Sequence, residues 1–225
     1  MKHLDNTWER NEHFNFFQSR RNPCINVSFS VNVAKLYEIK EQNGFRLTDC
    51  IYFAAMLAVH GVAGFRQRIV NLRPVEFDRI DAAFTYIPKG KALHCNCVAK
   101  FDRKFSVFSS NISAARAIAD QNPTLCPEGG DVQSLIYFSC VPDIPILSAT
   151  NPWGDPWVDS VPRILFGKKD DAGNVTISIE ALHSFIDGIH LAEFYKLFTQ
   201  IMDLIRSEYA LIFASCFQIS GLRQG

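Results

Sequence analysis

The chain has 225 residues, of which 48% are apolar and 19 are phenylalanine, enough to fill one core without disulfide or metal staples. Its 23 Lys and Arg balance 23 Asp and Glu, so net charge gives no grip on nucleic acid or an anionic membrane, and neither partner is expected. The first fourteen residues lack the apolar stretch and cleavage site of a secretory signal, and no run reaches the ~20 apolar residues of a membrane span; a cytoplasmic protein is expected.

In chain order, Thr7 through Phe17 reads as a short amphipathic helix with Thr7 as its N-cap. Cys24 to Val33 alternates apolar and polar residues, the pattern of a half-buried strand. Ala34 to Gln42 is helical and stops near Gly44. Thr48 then caps a long apolar helix over Asp49 to Val62. Arg79 to Pro88 and Leu93 to Phe101 form two strands joined by a Pro-Lys-Gly-Lys turn, and Ser106 to Asp120 is a helix ending before Asn122-Pro123. Val132 to Pro142 is an apolar strand. Arg163 to Gly167 and Val175 to Leu182 flank the turn Asp170-Asp171-Ala172-Gly173-Asn174 as a hairpin. From Asp187 a helix carries Leu191, Phe194, Leu197, Phe198, Ile201, Leu204 and Ile205 on one stripe.

With no repeat or linker, residues 1–208 read as one domain, and 209–225, holding Leu211, Ile212 and Phe213, as a C-terminal tail of unknown role. Interleaved strands and helices with hairpins predict a two-layer α/β sandwich on a mixed β-sheet. Neither GxGxxG nor GxxxxGK[ST] occurs, which argues against Rossmann and P-loop chemistry. The seven cysteines (Cys24, Cys50, Cys95, Cys97, Cys126, Cys140 and Cys216) lack CxxC spacing and are expected as reduced thiols. Cys95 and Cys97, beside His94, would share one strand face, but no further ligands stand at suitable spacing and no metal is expected.

The segment Ala181-Leu182-His183-Ser184-Phe185-Ile186-Asp187-Gly188-Ile189-His190 carries the chemistry. It lies where a strand gives way to a helix, so His183 can project from a rigid edge as a general base does. Asp187 stands where an N-cap carboxylate would meet the first helix amides, and Gly188 would admit close approach of backbone or ligand. A core histidine beside an ordinary cap fits these residues equally well.

This segment resembles the HHxxxDG motif of the chloramphenicol acetyltransferase family, shared with the catalytic domain of dihydrolipoamide acyltransferases. The resemblance extends in family order. Trp8-Glu9-Arg10-Asn11-Glu12-His13-Phe14 is similar to Trp-x-Arg-x-Glu-His-Phe, Phe65-Arg66 to Phe-Arg, and Phe84-Thr85 to Tyr-Thr. Ser139-Cys140-Val141-Pro142 resembles Ser-x-x-Pro-Trp, and Phe166-Gly167-Lys168 resembles Met-Gly-Lys.

The resemblance implies a CoA-dependent acyltransferase fold and O-acetyl transfer from acetyl-CoA, without a metal, to a hydroxyl of chloramphenicol or a similar small acceptor. His183 would be the general base and Ser139 the donor to the tetrahedral oxyanion. Arg10 and Asp187, with Gly188, would brace the site, Lys168 would lie near the coenzyme, and homotrimers would place the sites between subunits. Ser139 as a small strand residue and Lys168 as a solvated lysine are the bland alternatives.

Departures from the pattern crowd the acceptor side. Leu182 replaces the first His of the pair, Asp143 the Trp after Pro142, and Leu165 a threonine near the tetrahedral centre, while residues 151–157 are turn-rich. They leave open a different hydroxylated acceptor, or a non-catalytic trimeric binding protein of the same fold. A dihydrolipoamide acyltransferase role is disfavoured, because the chain has no lipoyl domain or linker.

Overall fold

The computed structural model describes residues 1–43, 45–127 and 132–207. The order is β1 (Lys2–His3), α1 (Asn11–Gln18), β2 (Cys24–Asn32), α2 (Ala34–Asn43), α3 (Leu47–Gly61), a 3-10 turn (Ala63–Arg66), β3 (Gln67–Val70) and β4 (Arg73–Glu76). It continues with β5 (Asp81–Tyr86), β6 (Cys95–Ala99), α4 (Phe105–Gln121), β7 (Leu135–Cys140), β8 (Arg163–Lys169), β9 (Asn174–Leu182) and α5 (Gly188–Ser207).

Six strands form one sheet in the order β2-β9-β8-β7-β5-β6. The inner pairs β5–β7 and β7–β8 are parallel and the others antiparallel, so the sheet is mixed, as the interleaved pattern predicts. Strand alternation sorts the two faces. Phe138, Ile164, Phe166, Ile177 and Ile179 point into the main core with α3 and α5, each less than 3% exposed. Side chains so buried contribute about 1.5–3 kcal/mol apiece before entropy is subtracted. Tyr137, Ser139, Arg163, Leu165 and Glu180 alternate onto the opposite face. A strap over residues 149–160 ties down there: the Ala149 amide donates to Ser178 Oγ at 3.1 Å and the Asn151 amide to Glu180 Oε2 at 2.7 Å.

α3 is buried on nearly every side because it lies between the sheet and the other helices. Its one buried charge, Asp49, is met by a fork from Arg116 at 3.0 and 2.6 Å.

Local corrections concern caps and short strands. The first helix begins after Arg10, not Thr7, whose amide and hydroxyl both bond Asp5 Oδ1 in a side-chain turn. Thr48 lies inside α3, which follows Arg46 with no side-chain cap. The small sheet β1-β4-β3 has no counterpart in the sequence reading. Its turn is Asn71-Leu72, both at positive φ (51° and 62°), where Asn-Gly would have signalled a hairpin. The six described cysteines are free thiols, with Cys95 and Cys97 both buried on one face of β6. Cys216 and the 209–225 tail lie outside the described residues. No helix among the described residues is long and apolar enough to cross a membrane.

Candidate active site

Strand β9 ends at Leu182, and the next residue is locked to the sheet edge because the His183 amide donates to Pro23 O at 2.7 Å. The amides of Phe185 and Ile186 both return to Leu182 O (3.0 and 3.1 Å), closing a tight turn before α5. This turn places two acceptors against one ring nitrogen. His183 Nδ1 is 2.9 Å from Ile186 O and 3.0 Å from Asp187 Oδ1. A carbonyl and a carboxylate both require a donor, so in the neutral ring the proton sits on Nδ1 and the lone pair on Nε2. Phe17, from the last turn of α1, stacks on the imidazole at 4.0 Å between centroids and 15° between planes. The His183 side chain keeps 30% of its surface exposed, enough for Nε2 to meet a substrate.

Arg10 holds the turn from beneath. Its two terminal nitrogens pair with both Asp187 oxygens, Nη1 with Oδ2 and Nη2 with Oδ1, and Nη2 also donates to His183 O at 3.1 Å. The Arg10 hydrogen bond, reinforced by charge, keeps the Asp187 carboxyl below the usual carboxylate range despite partial burial. Asp187 is therefore not the side-chain helix cap expected of it. Instead the Asp187 amide donates back to His190 Nδ1 at 3.0 Å, the return half of a capping box with histidine as acceptor. Burial first, then the Arg10 charge, push His190 toward its neutral form, which that acceptor role requires.

Gln18, at the end of α1, bridges two segments beside the site. Its Oε1 accepts from Ser184 Oγ at 3.0 Å and its Nε2 donates to Pro156 O at 2.8 Å. Gln18 and Phe17 escaped the sequence reading, since only the docking of α1 under the β9 turn gives them partners. Gly188 differs from expectation too. A Cβ built there meets nothing within 4 Å, so no contact within the chain requires glycine.

Ser139 lies elsewhere, half-buried on β7 and lining a cavity of about 790 Å³ at the C-terminal ends of β5 and β7. Leu165 pairs directly with Ser139, so the departure at that position sits beside the serine hydroxyl. Leu182 is core, 1% exposed. Asp143 is exposed and Lys168 is exposed on β8; neither lines this cavity within one chain. His183 does not line it either. Ser139 is two strands from Ser178, and His183 is five residues further along β9, which separates the two Cα atoms by about 20 Å within one chain.

Comparison with known proteins supplies the family. The profile of the chloramphenicol acetyltransferase family matches residues 2–199. Chloramphenicol acetyltransferase 2 of Escherichia coli is 20% identical over 204 residues, covering 89% of this chain and 95% of that protein. The Bacillus pumilus enzyme is 19% identical, covering 87% and 90%. A solved chloramphenicol acetyltransferase superposes with a TM-score of 0.83 at 24% identity, over 90% of this chain and all of that one. A probable dihydrolipoamide acetyltransferase from Listeria monocytogenes gives 0.66 at 12% identity, over 93% and 96%. The matched span takes in both the His183 turn and the Ser139 strand, and the chain belongs to the chloramphenicol acetyltransferase family.

Proposed function

We propose that the protein transfers the acetyl group of acetyl-CoA to a hydroxyl of chloramphenicol or a similar small acceptor, with His183 as general base. The observation that carries this reading is the fixed imidazole: Nδ1 is tied to Ile186 O and Asp187, and Nε2 is left basic at an exposed edge. Nε2 takes the acceptor proton as the oxygen attacks the thioester carbonyl, and the protonated ring is stabilised by the adjacent Asp187 carboxylate. The tetrahedral oxyanion then needs a donor, which Ser139 Oγ supplies; one such bond is worth roughly 3 kcal/mol. Collapse of the intermediate expels the thiolate of CoA, which recovers the proton from His183. Base assistance of this kind contributes about 10²–10⁴ in rate, and holding both substrates together adds proximity.

A separation near 20 Å within one chain means that His183 and Ser139 act together only across two copies. A homotrimer with His183 of one subunit facing the Ser139 cavity of the next satisfies that geometry. Arg10 and Asp187 position the base, Gly188 leaves room at the turn for the opposing subunit or ligand, and Lys168 lies near the bound coenzyme. The test is thiol release from acetyl-CoA with chloramphenicol, in wild type and His183→Ala. Release that needs the drug and falls by at least ~10³ in the variant supports the reading. Undiminished release in His183→Ala would remove the histidine as base.

A further inference from the structure

The cavity floor can be read residue by residue from the strand registers. On the face away from the helices, Leu165 of β8 pairs with Ser139 of β7. Thr85 follows the Phe84–Phe138 pair and so stands beside Ser139, and Asn96 of β6 pairs with Thr85. Four residues on four neighbouring strands thus make one row, at steps of about 4.8 Å. All four line the cavity, with His94 two residues beyond Asn96. Ser139 Oγ and Thr85 Oγ1 have no protein partner among the described residues. Asn96 Nδ2 donates to Leu125 O at 2.7 Å, and its Oδ1 has no protein partner among the described residues.

Two of the three arginines that line the cavity are held in direct ion pairs. Arg163 bonds Asp159 at 2.6 Å, faces Glu180 across the β8–β9 pair and lies 3.6 Å over the Trp153 ring. Arg116 is matched by Asp49. Arg46, exposed at the cavity, lies in the field of Asp120, so the row beside Ser139 itself carries no unmatched charge. What the row offers is neutral groups that both donate and accept, the complement of hydroxyls, while aromatic and apolar lining such as Tyr86, Tyr137 and Ile87 suits the C–H face of a ring.

We propose, resting on the acyl-transfer reading above, that the acceptor is a neutral polyol or sugar. One hydroxyl is acetylated at Ser139 and a second is held by Thr85 and Asn96, which act as specificity residues. A six-membered ring lying along the row spans these positions, while Leu165 meets its less polar edge.

The test compares cyclohexanol, methyl glucoside and myo-inositol, rings of similar size that differ in hydroxyl number, with wild-type protein, Thr85→Val and Asn96→Leu. Thiol release from acetyl-CoA gives turnover, and calorimetry gives binding of each compound independently of turnover. The expected result is that glucoside or inositol is preferred over cyclohexanol by tenfold or more. Each substitution then weakens that preference about fivefold to tenfold, as loss of one hydrogen bond does, with KM for acetyl-CoA unchanged in both and the melting temperature unchanged in Thr85→Val, whose hydroxyl has no protein partner among the described residues. Equal or better use and binding of cyclohexanol would overturn the proposal, as would a preference that survives in both variants. Polyol binding that depends on Thr85, in a protein that releases no thiol, would uphold the specificity and refute the acyl-transfer reading instead.

Discussion

At the scale of single residues, two titrating groups allow predictions with a definite sign. Asp187 has a folded pKa below its unfolded value, so its contribution is present above the ordinary carboxylate range and is lost as pH falls through the folded pKa. Asp187→Asn removes the charge at every pH. It is expected to cost about 1–3 kcal/mol of stability, because Arg10 is almost buried and would face an uncharged amide. Affinity for CoA should change less than stability does. A thermal melt that Asp187→Asn leaves unmoved would sink the bracing role. His60 is partly buried at the end of α3, stacked on Phe101, with Nδ1 donating to Met56 O (2.8 Å) and Nε2 accepting from the Ile80 amide (3.3 Å). Burial pushes its pKa down to about 4. The unfolded chain therefore binds the proton first, and stability should fall as pH drops from about 6.5 to 4, by on the order of 3 kcal/mol. Urea unfolding across that window should show the fall in wild type and a smaller one in His60→Asn. An equal fall in both would assign it to other groups.

His183, Asp187 and Arg10 were legible as a motif, yet the physical reason for the histidine's tautomer was not. It depends on Ile186 O, a backbone atom that no residue type encodes, and on a turn closed by two amides returning to Leu182. The role of His190 was equally hidden, since a histidine three residues after an aspartate does not announce a capping contact.

At the scale of elements, the long strands and helices followed from alternation and the 3.6-residue stripe, because each has one face on a core that rewards the pattern. The β3–β4 hairpin did not. It is four residues a side and carries Leu72 at φ 62° with 63% of its surface exposed. A leucine in that region costs roughly 1–2 kcal/mol and here loses little packing if removed. Leu72→Gly should therefore stabilise the protein, by about 0.5–1 kcal/mol after the added flexibility of the unfolded chain is subtracted. A lower melting temperature in that variant would mean that the leucine packs on something the isolated chain does not show. The same hairpin is pinned by Arg68, fully buried and bonded only to carbonyls: Gln133 O, Phe65 O, Gln67 O and Leu135 O at 2.6–2.9 Å. Arg68→Met would leave four buried carbonyls without that donor, and a loss of 3 kcal/mol or more is expected in denaturant unfolding. A loss under 1 kcal/mol would show that water or neighbouring amides replace it.

At the scale of the whole molecule, the decisive quantity is the distance between two residues that a single sequence motif search treats as one site. Ser139 lies on β7 and His183 just past the end of β9, with β8 between the two strands and the residues toward opposite ends of the sheet, so no rotamer or loop movement within one subunit joins them. If catalysis is shared between copies, two inactive variants should complement each other. His183→Ala supplies intact Ser139 cavities, and Ser139→Ala supplies intact His183 turns. When equal amounts are unfolded together and reassembled at random, an interface is intact when one neighbour gives its histidine and the other its serine. That occurs at about a quarter of the interfaces of a closed ring, so about a quarter of wild-type activity should return. Each variant reassembled alone is the control and should stay at its own residual level. A site complete within one chain makes the opposite prediction: the mixture gives only the mean of the two variants, whatever its assembly. Recovery near a quarter would establish both the assembly and the pairing of His183 with Ser139, since a ring that merely stabilised its subunits could not restore activity to two chains each lacking one of the two groups.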